Sequence, residues 1–124
     1  MSPDTNEIRL HTVAMRVHRM KAMLAFYSEA FGIQFREVMT GPLQSHFGEL
    51  DGLTLKFVPL RDEADFDGYA VHQLGFTVAD IEQVIEVAIR HGGRQEGEAI
   101  LKDGRTHAAV RDPDGNTLEL YSPG

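Results

Sequence analysis

At 124 residues the chain has room for one compact domain with a real core, and none for two domains of ordinary size. An apolar fraction of 42% and a charged fraction of 25% are those of a folded protein, and a net charge of -7 without any Lys/Arg-rich block argues against nucleic acid as a partner. The absence of cysteine removes disulfides, thiolate nucleophiles and sulfur-ligated clusters, and with no signal-like or membrane-spanning apolar run the expectation is a cytoplasmic protein with no membrane partner.

The first seven residues, MSPDTNE, read as a mobile tail. LHTVAMRV alternates as a strand, and Arg16, Arg19 and Lys21 cluster near its end as a solvated basic surface. Met20, Met23, Leu24, Tyr27 and Phe31 then recur at helical spacing until Gly32 stops the helix. No residue at the start of this helix is a strong cap. Strands are expected over Ile33–Val38, Ser45–Leu50 and Leu53–Val58, the last two joined by a tight Asp51–Gly52 turn. Pro59–Tyr69 is polar and acidic, and reads as a connection.

The pattern then repeats. His11 falls over His72, and Val13, Met15 and Val17 fall over Leu74, Phe76 and Val78. The second helix carries Ile81, Val84, Ile85, Ala88 and Ile89 on one face, starts from an Asp80/Gln83 capping box, and ends at His91–Gly92–Gly93. Strands follow at Arg94–Ala99, Thr106–Arg111 and Thr117–Tyr121, with turns at Asp103–Gly104 and Asp112–Pro113–Asp114–Gly115. The paired carboxylates of that last turn read as turn formers, not as an acid/base pair. The fold expected is α+β: one domain over 1–124, built of two tandem βαβββ modules at approximately 8–58 and 71–121, with strands curved around a shared trough and helices outside.

Successive strand side chains face opposite ways, so parity sorts them. Val13, Met15, Val17, Leu53, Leu55 and Phe57 should face the first helix; Leu74, Phe76, Val78, Leu118 and Leu120 should face the second. The same parity aims Thr12, Lys56, Gln73 and Glu119 into the trough. His46, Phe47, Met39, Phe66, Tyr69, His107 and Tyr121 are candidates for lining a pocket there, and His46 and His107 occupy roughly equivalent positions in the two halves.

Three stretches, VAMRVHRMKAMLAFYSEAFGIQF, HQLGFTVADIEQV and DPDGNTLELY, resemble the vicinal oxygen chelate superfamily, which includes glyoxalases, bleomycin and fosfomycin resistance proteins and extradiol dioxygenases. The resemblance covers nearly the whole chain and implies paired βαβββ modules and commonly a homodimer. It also implies, for metal-using members, ligands at Thr12, Lys56, Gln73 and Glu119. Glu119 is the type preferred there, Gln73 is tolerated in some glyoxalases, and Thr12 and Lys56 depart from the pattern.

His11 and His72 each stand one residue before such a position, and with Glu119 they would form a two-histidine, one-carboxylate set for Fe, Mn, Ni or Zn. A one-residue offset turns a strand side chain to the opposite face, so this set requires a bulge in both modules. Gln73 and Glu119 with other ligands make a second metal set. The preferred expectation is that Lys56 pairs with Glu119, since a cation there repels a metal and neutralises the acid.

The leading expectation of function is therefore a protein that binds a small organic molecule in a cleft, through Thr12, His46, Lys56, Gln73, His107 and Tyr121, without a cofactor. The alternative is a divalent-metal-dependent lyase, isomerase or dioxygenase acting on adjacent substrate oxygens, with His11, His72 and Glu119 as ligands, or with Glu119 as the catalytic base. A pure interaction module is a third reading, and the residues leave open whether a bound molecule is transformed.

Overall fold

A computed structural model describes residues 8–60 and 72–123. The tail, most of the connection between modules, and with them Phe66 and Tyr69, lie outside the described residues. In chain order the elements are β1 (Thr12–Val17), α1 (Met20–Phe31), β2 (Phe35–Thr40), β3 (Leu43–Leu50), β4 (Leu53–Pro59), β5 (Gln73–Thr77), α2 (Ile81–Arg90), β6 (Arg94–Gln95), β7 (Ile100–Lys102), β8 (Arg105–Arg111) and β9 (Thr117–Tyr121). The fold is α+β, as the repeat foretold. One sheet runs β1-β4-β3-β2 and the other β5-β9-β8-β6, with β7 also on β8. In each module the first strand pairs parallel with the last, Ala14 beside Lys56 and Gly75 beside Glu119.

The second module departs from the expected pattern in one place. Of the strand expected over Arg94–Ala99 only Arg94–Gln95 forms, as β6, and an unexpected strand, β7, follows beyond it at Ile100–Lys102; both pair with β8. The chain breaks out of the ladder between them, where Gly97 has a positive φ of 72° and Glu96 turns its carboxylate to Arg111. The two-residue turns match expectation: Asp51–Gly52 and Asp103–Gly104 both have positive φ at both residues, which is the twist a tight hairpin needs.

One core serves both modules. Met15, Val17, Leu55 and Phe57 are buried from the first sheet, and Ala108, Val110, Leu118 and Leu120 from the second, as strand parity requires. Phe26 and Tyr27 of α1 are fully buried among them, Tyr27 edge-on to Phe57 at 5.3 Å. Across the module boundary Phe31 stacks on Phe76 at 4.3 Å, and α1 packs on α2. Gly93 permits that packing, because a Cβ there would lie 2.5 Å from both the Phe26 ring and the Arg111 carbonyl oxygen.

The two helices start differently. Asp80 caps α2 by accepting from the Gln83 N–H at 3.1 Å, which is the first of the two bonds expected of its capping box. Arg19, at the head of α1, makes no side-chain cap. Its help comes from the far end of the chain: the Asp114 carboxylate accepts from the backbone N–H groups of His18 (2.8 Å) and Arg19 (2.9 Å), placing an anion at the positive end of the helix. Gly32 ends α1 in the left-handed conformation, φ 69°.

Candidate functional site

With the helix-bearing faces joined in one core, the opposite face of each sheet is open. On the second sheet the parallel register sets Gly75 beside Glu119, and the antiparallel register sets Ala109 beside Glu119 and His107 beside Tyr121. Glu119 is partly buried and accepts two hydrogen bonds, from Gln73 Nε2 at 3.2 Å and from the Tyr121 hydroxyl at 2.7 Å. That bond is the largest cause holding the Tyr121 phenol above its ordinary pKa, followed by burial and the Glu119 charge. The Tyr121 ring stacks on His107 with centroids 4.6 Å apart and planes within 6°.

His107 Nε2 is buried with no hydrogen-bond partner. Its ring and that of Tyr121 form one wall of a hollow of about 540 Å³, completed by Lys102, Asp103 and Arg105 of the β7–β8 hairpin. Two other hollows are lined by other residues. One of about 480 Å³ lies at the seam between modules and is lined mainly by Leu50, Leu53, Leu55, Leu74 and Phe76. Another of about 500 Å³ lies at the start of α2, where Asp80 is already engaged as the cap.

The open face of the first sheet carries a cross-strand row. The registers align Arg36, Phe47, Lys56 and Ala14 on β2, β3, β4 and β1. The Arg36 guanidinium and the Lys56 ammonium each lie 5.4 Å from the centre of the Phe47 ring. Beside them the Thr54 hydroxyl donates to Glu49 at 3.0 Å.

This geometry corrects the expected Lys56–Glu119 pair. Both side chains face the open side of their sheets, but the sheets are separate, and no ion pair links them: Lys56 sits over Phe47 and Glu119 is held by Gln73 and Tyr121. Of the four positions brought together by parity, Gln73 and Glu119 meet on the second sheet, while Thr12 and Lys56 stay on the first.

His46 also departs from its expected equivalence to His107. It pairs with Phe57, a core residue, and borders a shallow hollow with Leu24, Ser28 and Glu37, on the α1 side of the sheet. The position matching His107 is Ser45, because Phe47 and not His46 stands beside Lys56. Met39 is 61% exposed on the edge strand.

The sequence of residues 9–120 matches the family model of the Glyoxalase/Bleomycin resistance protein/Dioxygenase superfamily. The chain belongs to this superfamily. Solved structures place the same fold beside it: a glyoxalase-related enzyme from Fulvimarina pelagi is 20% identical with a TM-score of 0.70, covering 93% of this chain and 88% of that one. A glyoxalase/bleomycin resistance protein/dioxygenase family enzyme from Burkholderia phytofirmans PsJN is 21% identical with a TM-score of 0.72, covering 93% and 98%. The oxidase ChaP-H2 is 22% identical with a TM-score of 0.68, covering 94% of each. No curated protein matches the sequence. At these identities the likeness establishes the fold.

Metal-using members of the glyoxalase superfamily set the test for a metal centre. Among the described residues no three His, Asp or Glu side chains gather into a group that could hold an ion, so His11, His72 and Glu119 do not form one within the chain. His11 is exposed, its Nδ1 hydrogen-bonded to the Thr12 hydroxyl at 2.5 Å. His72 immediately precedes β5 and is anchored by its main-chain N–H to Asn116 Oδ1 at 3.1 Å. With a threonine and a lysine at two of the four positions implied by the resemblance, the donor set does not fit a divalent ion within one chain.

The residues that sequence reasoning missed are Lys102, Arg105 and Arg36. Lys102 and Arg105 were within reach: a two-residue turn at Asp103–Gly104 sets Lys102 opposite Arg105, and period-2 alternation then puts Arg105 and His107 on the face of Tyr121.

Proposed function

We propose that this member of the glyoxalase superfamily binds a small organic molecule on the open face of its second sheet, at His107, Tyr121, Glu119 and Gln73, without a resident metal. The observation that carries the proposal is the set of polar side chains on this face, Gln73, Glu119 and Tyr121 joined by hydrogen bonds, with the His107 and Tyr121 rings lining the hollow beside them. Convergent polar groups beside aromatic walls are the usual make-up of a small-molecule site.

A homodimer completes this reading. A second copy that laid its first-sheet face over this one would add Lys56, Thr12 and Phe47 to the cleft and bring Lys56 near Glu119. Sedimentation of the purified chain checks the dimer, and a monomer at working concentration would remove this part of the proposal. A thermal-shift screen of small molecules, run with and without chelator, checks the rest: stabilisers that work equally in both conditions and shift the His107 ring resonances are expected. Stabilisers that all leave His107 undisturbed would sink it.

One observation favours the metal-dependent reading. Gln73 and Glu119 meet at 3.2 Å on one face, and rotating the amide would present two oxygens toward the same point. Near-stoichiometric binding of Mn, Ni, Zn or ferrous ion, lost in Glu119→Ala, would establish that reading, with Glu119 as ligand or base.

A further inference from the structure

One strand edge of the second sheet stands open beside an apolar hollow. Among the described residues β5 pairs with β9 alone, at the end of its sheet. The Val78 N–H donates to the Tyr121 carbonyl oxygen at 2.8 Å, so by the alternation of a parallel ladder the N–H and C=O groups of Gly75 and Thr77 point the other way, to the free edge. Both residues are exposed, and no hydrogen bond reaches those groups from the described residues. They also line the seam hollow of about 480 Å³, whose other walls are Leu50, Leu53, Leu55, Leu74 and Phe76. The chain carries a segment that suits this edge. Ile8 and Leu10, just before β1, are 91% and 72% exposed, and their spacing of two puts both side chains on one face of an extended segment. Within one chain the two features do not meet, since neither Ile8 nor Leu10 lines the hollow.

From this we infer that the occupant is a second copy of the chain: the Ile8–Leu10 segment of each copy adds as a strand to the β5 edge of the other, with Ile8 and Leu10 seated in the leucine-lined hollow. Main-chain bonds to Gly75 and Thr77 give the open edge its partners, and the alternate apolar side chains fill the pocket beside it. The exchange is reciprocal, so it closes at two copies. It rests on the homodimer reading above and names that dimer's contact. The segment leads out of β1, an end strand of the sheet which that reading lays over the second one. It is tied to its own sheet only where it leaves it, by the His11 carbonyl oxygen accepting from the Thr54 N–H at 2.8 Å. Three extended residues span about 10 Å, enough to run along the β5 edge from Gly75 to Thr77.

The test follows the full chain and its Ile8→Ser/Leu10→Ser variant by sedimentation and by amide hydrogen exchange over a range of protein concentrations. Both substitutions fall at exposed positions, so the variant is expected to fold with its α1 and α2 amides as protected as before. The intact chain should sediment as a dimer, with the Gly75 and Thr77 amides protected in step with dimer formation. The variant should dimerise at least roughly tenfold more weakly and return both amides to the exchange of a free edge. A variant that dimerises as tightly as the intact chain, its two amides exchanging as before, overturns the arm exchange and leaves the dimer reading standing. Protection that persists on dilution to monomer means that the chain's own segment seats on β5, which overturns it as well. A chain that is monomeric at every concentration removes both the exchange and the dimer.

Discussion

Ten residues, Asp112 to Tyr121, hold three carboxylates in two surroundings. Asp112 and Asp114 are buried, 3% and 6% exposed, and hydrogen-bonded from several directions. Asp112 accepts from the backbone N–H groups of Asp114 and Asn116, the Asn116 side chain and the Tyr27 hydroxyl, all between 2.8 and 3.0 Å. Asp114 reaches back to the start of α1. Glu119, a few residues on, lies on the open face with two side-chain donors. The turn acids tie the second module to the first, whereas the strand acid bonds only to neighbours on its own sheet. All three are acids within one ten-residue stretch; the donors around each acid separate them.

Breaking the buried half should have the largest effect. Asp112→Ala leaves the Tyr27 hydroxyl and the Asn116 amide groups buried without their acceptor, and should lower stability by about 3 kcal/mol, measured by urea denaturation. A loss under about 1 kcal/mol would mean that water replaces the carboxylate and that the strut is dispensable. Burial raises the Asp112 pKa, with the bonds from Tyr27 and Asn116 opposing that shift and the Asp114 charge adding to it. Burial also keeps Tyr27 protonated well above the ordinary range, so it stays a donor throughout.

The sign of the pH dependence follows. A folded pKa raised above the ordinary 3.8 means that the folded chain holds the proton more readily than the unfolded one. The resulting stability is fully present below 3.8 and is lost as pH rises through the raised value. The stability lost on Asp112→Asn should therefore be larger in acid than at neutral pH. A difference that grows instead toward neutral pH would show that the four donors outweigh burial.

Asp114→Ala comes next. It removes two backbone hydrogen bonds to a charged acceptor and the anion at the head of α1, worth about 1–2 kcal/mol together. Hydrogen exchange should show the first turn of α1 opening while α2, capped by its own Asp80, is unchanged; equal loosening of both helices would refute the local role.

The contrast also marks what sequence could tell. Parity sorted the strand faces well, since Met15, Val17, Phe57, Leu118 and Leu120 are buried and Thr12, Gln73 and Glu119 face the open side, because a period of two is a local property of any strand. The cap at Asp80 was legible for the same reason: donor and acceptor are three residues apart. The help that Asp114 gives to α1 was not, because its partners are 96 and 95 residues away. The Lys56–Glu119 pair failed at the same step, since parity gives a face and not a distance between sheets. His46 was misjudged by one residue in the alignment of β3 on β8, which is enough to reverse a side chain.

The smallest stability change belongs to Glu119. Glu119→Gln should alter stability by about 0.5 kcal/mol or less, because the side chain is only partly buried and the new amide oxygen still accepts from Tyr121. Its consequence lies in the chemistry of the face. With the charge removed and the bond weakened, the Tyr121 phenol should titrate closer to the ordinary 10.0, seen as an earlier tyrosinate absorbance in one of the three tyrosines. A large drop in stability would instead place Glu119 with Asp112 and Asp114 as a structural acid, and the distinction between the two regions would disappear.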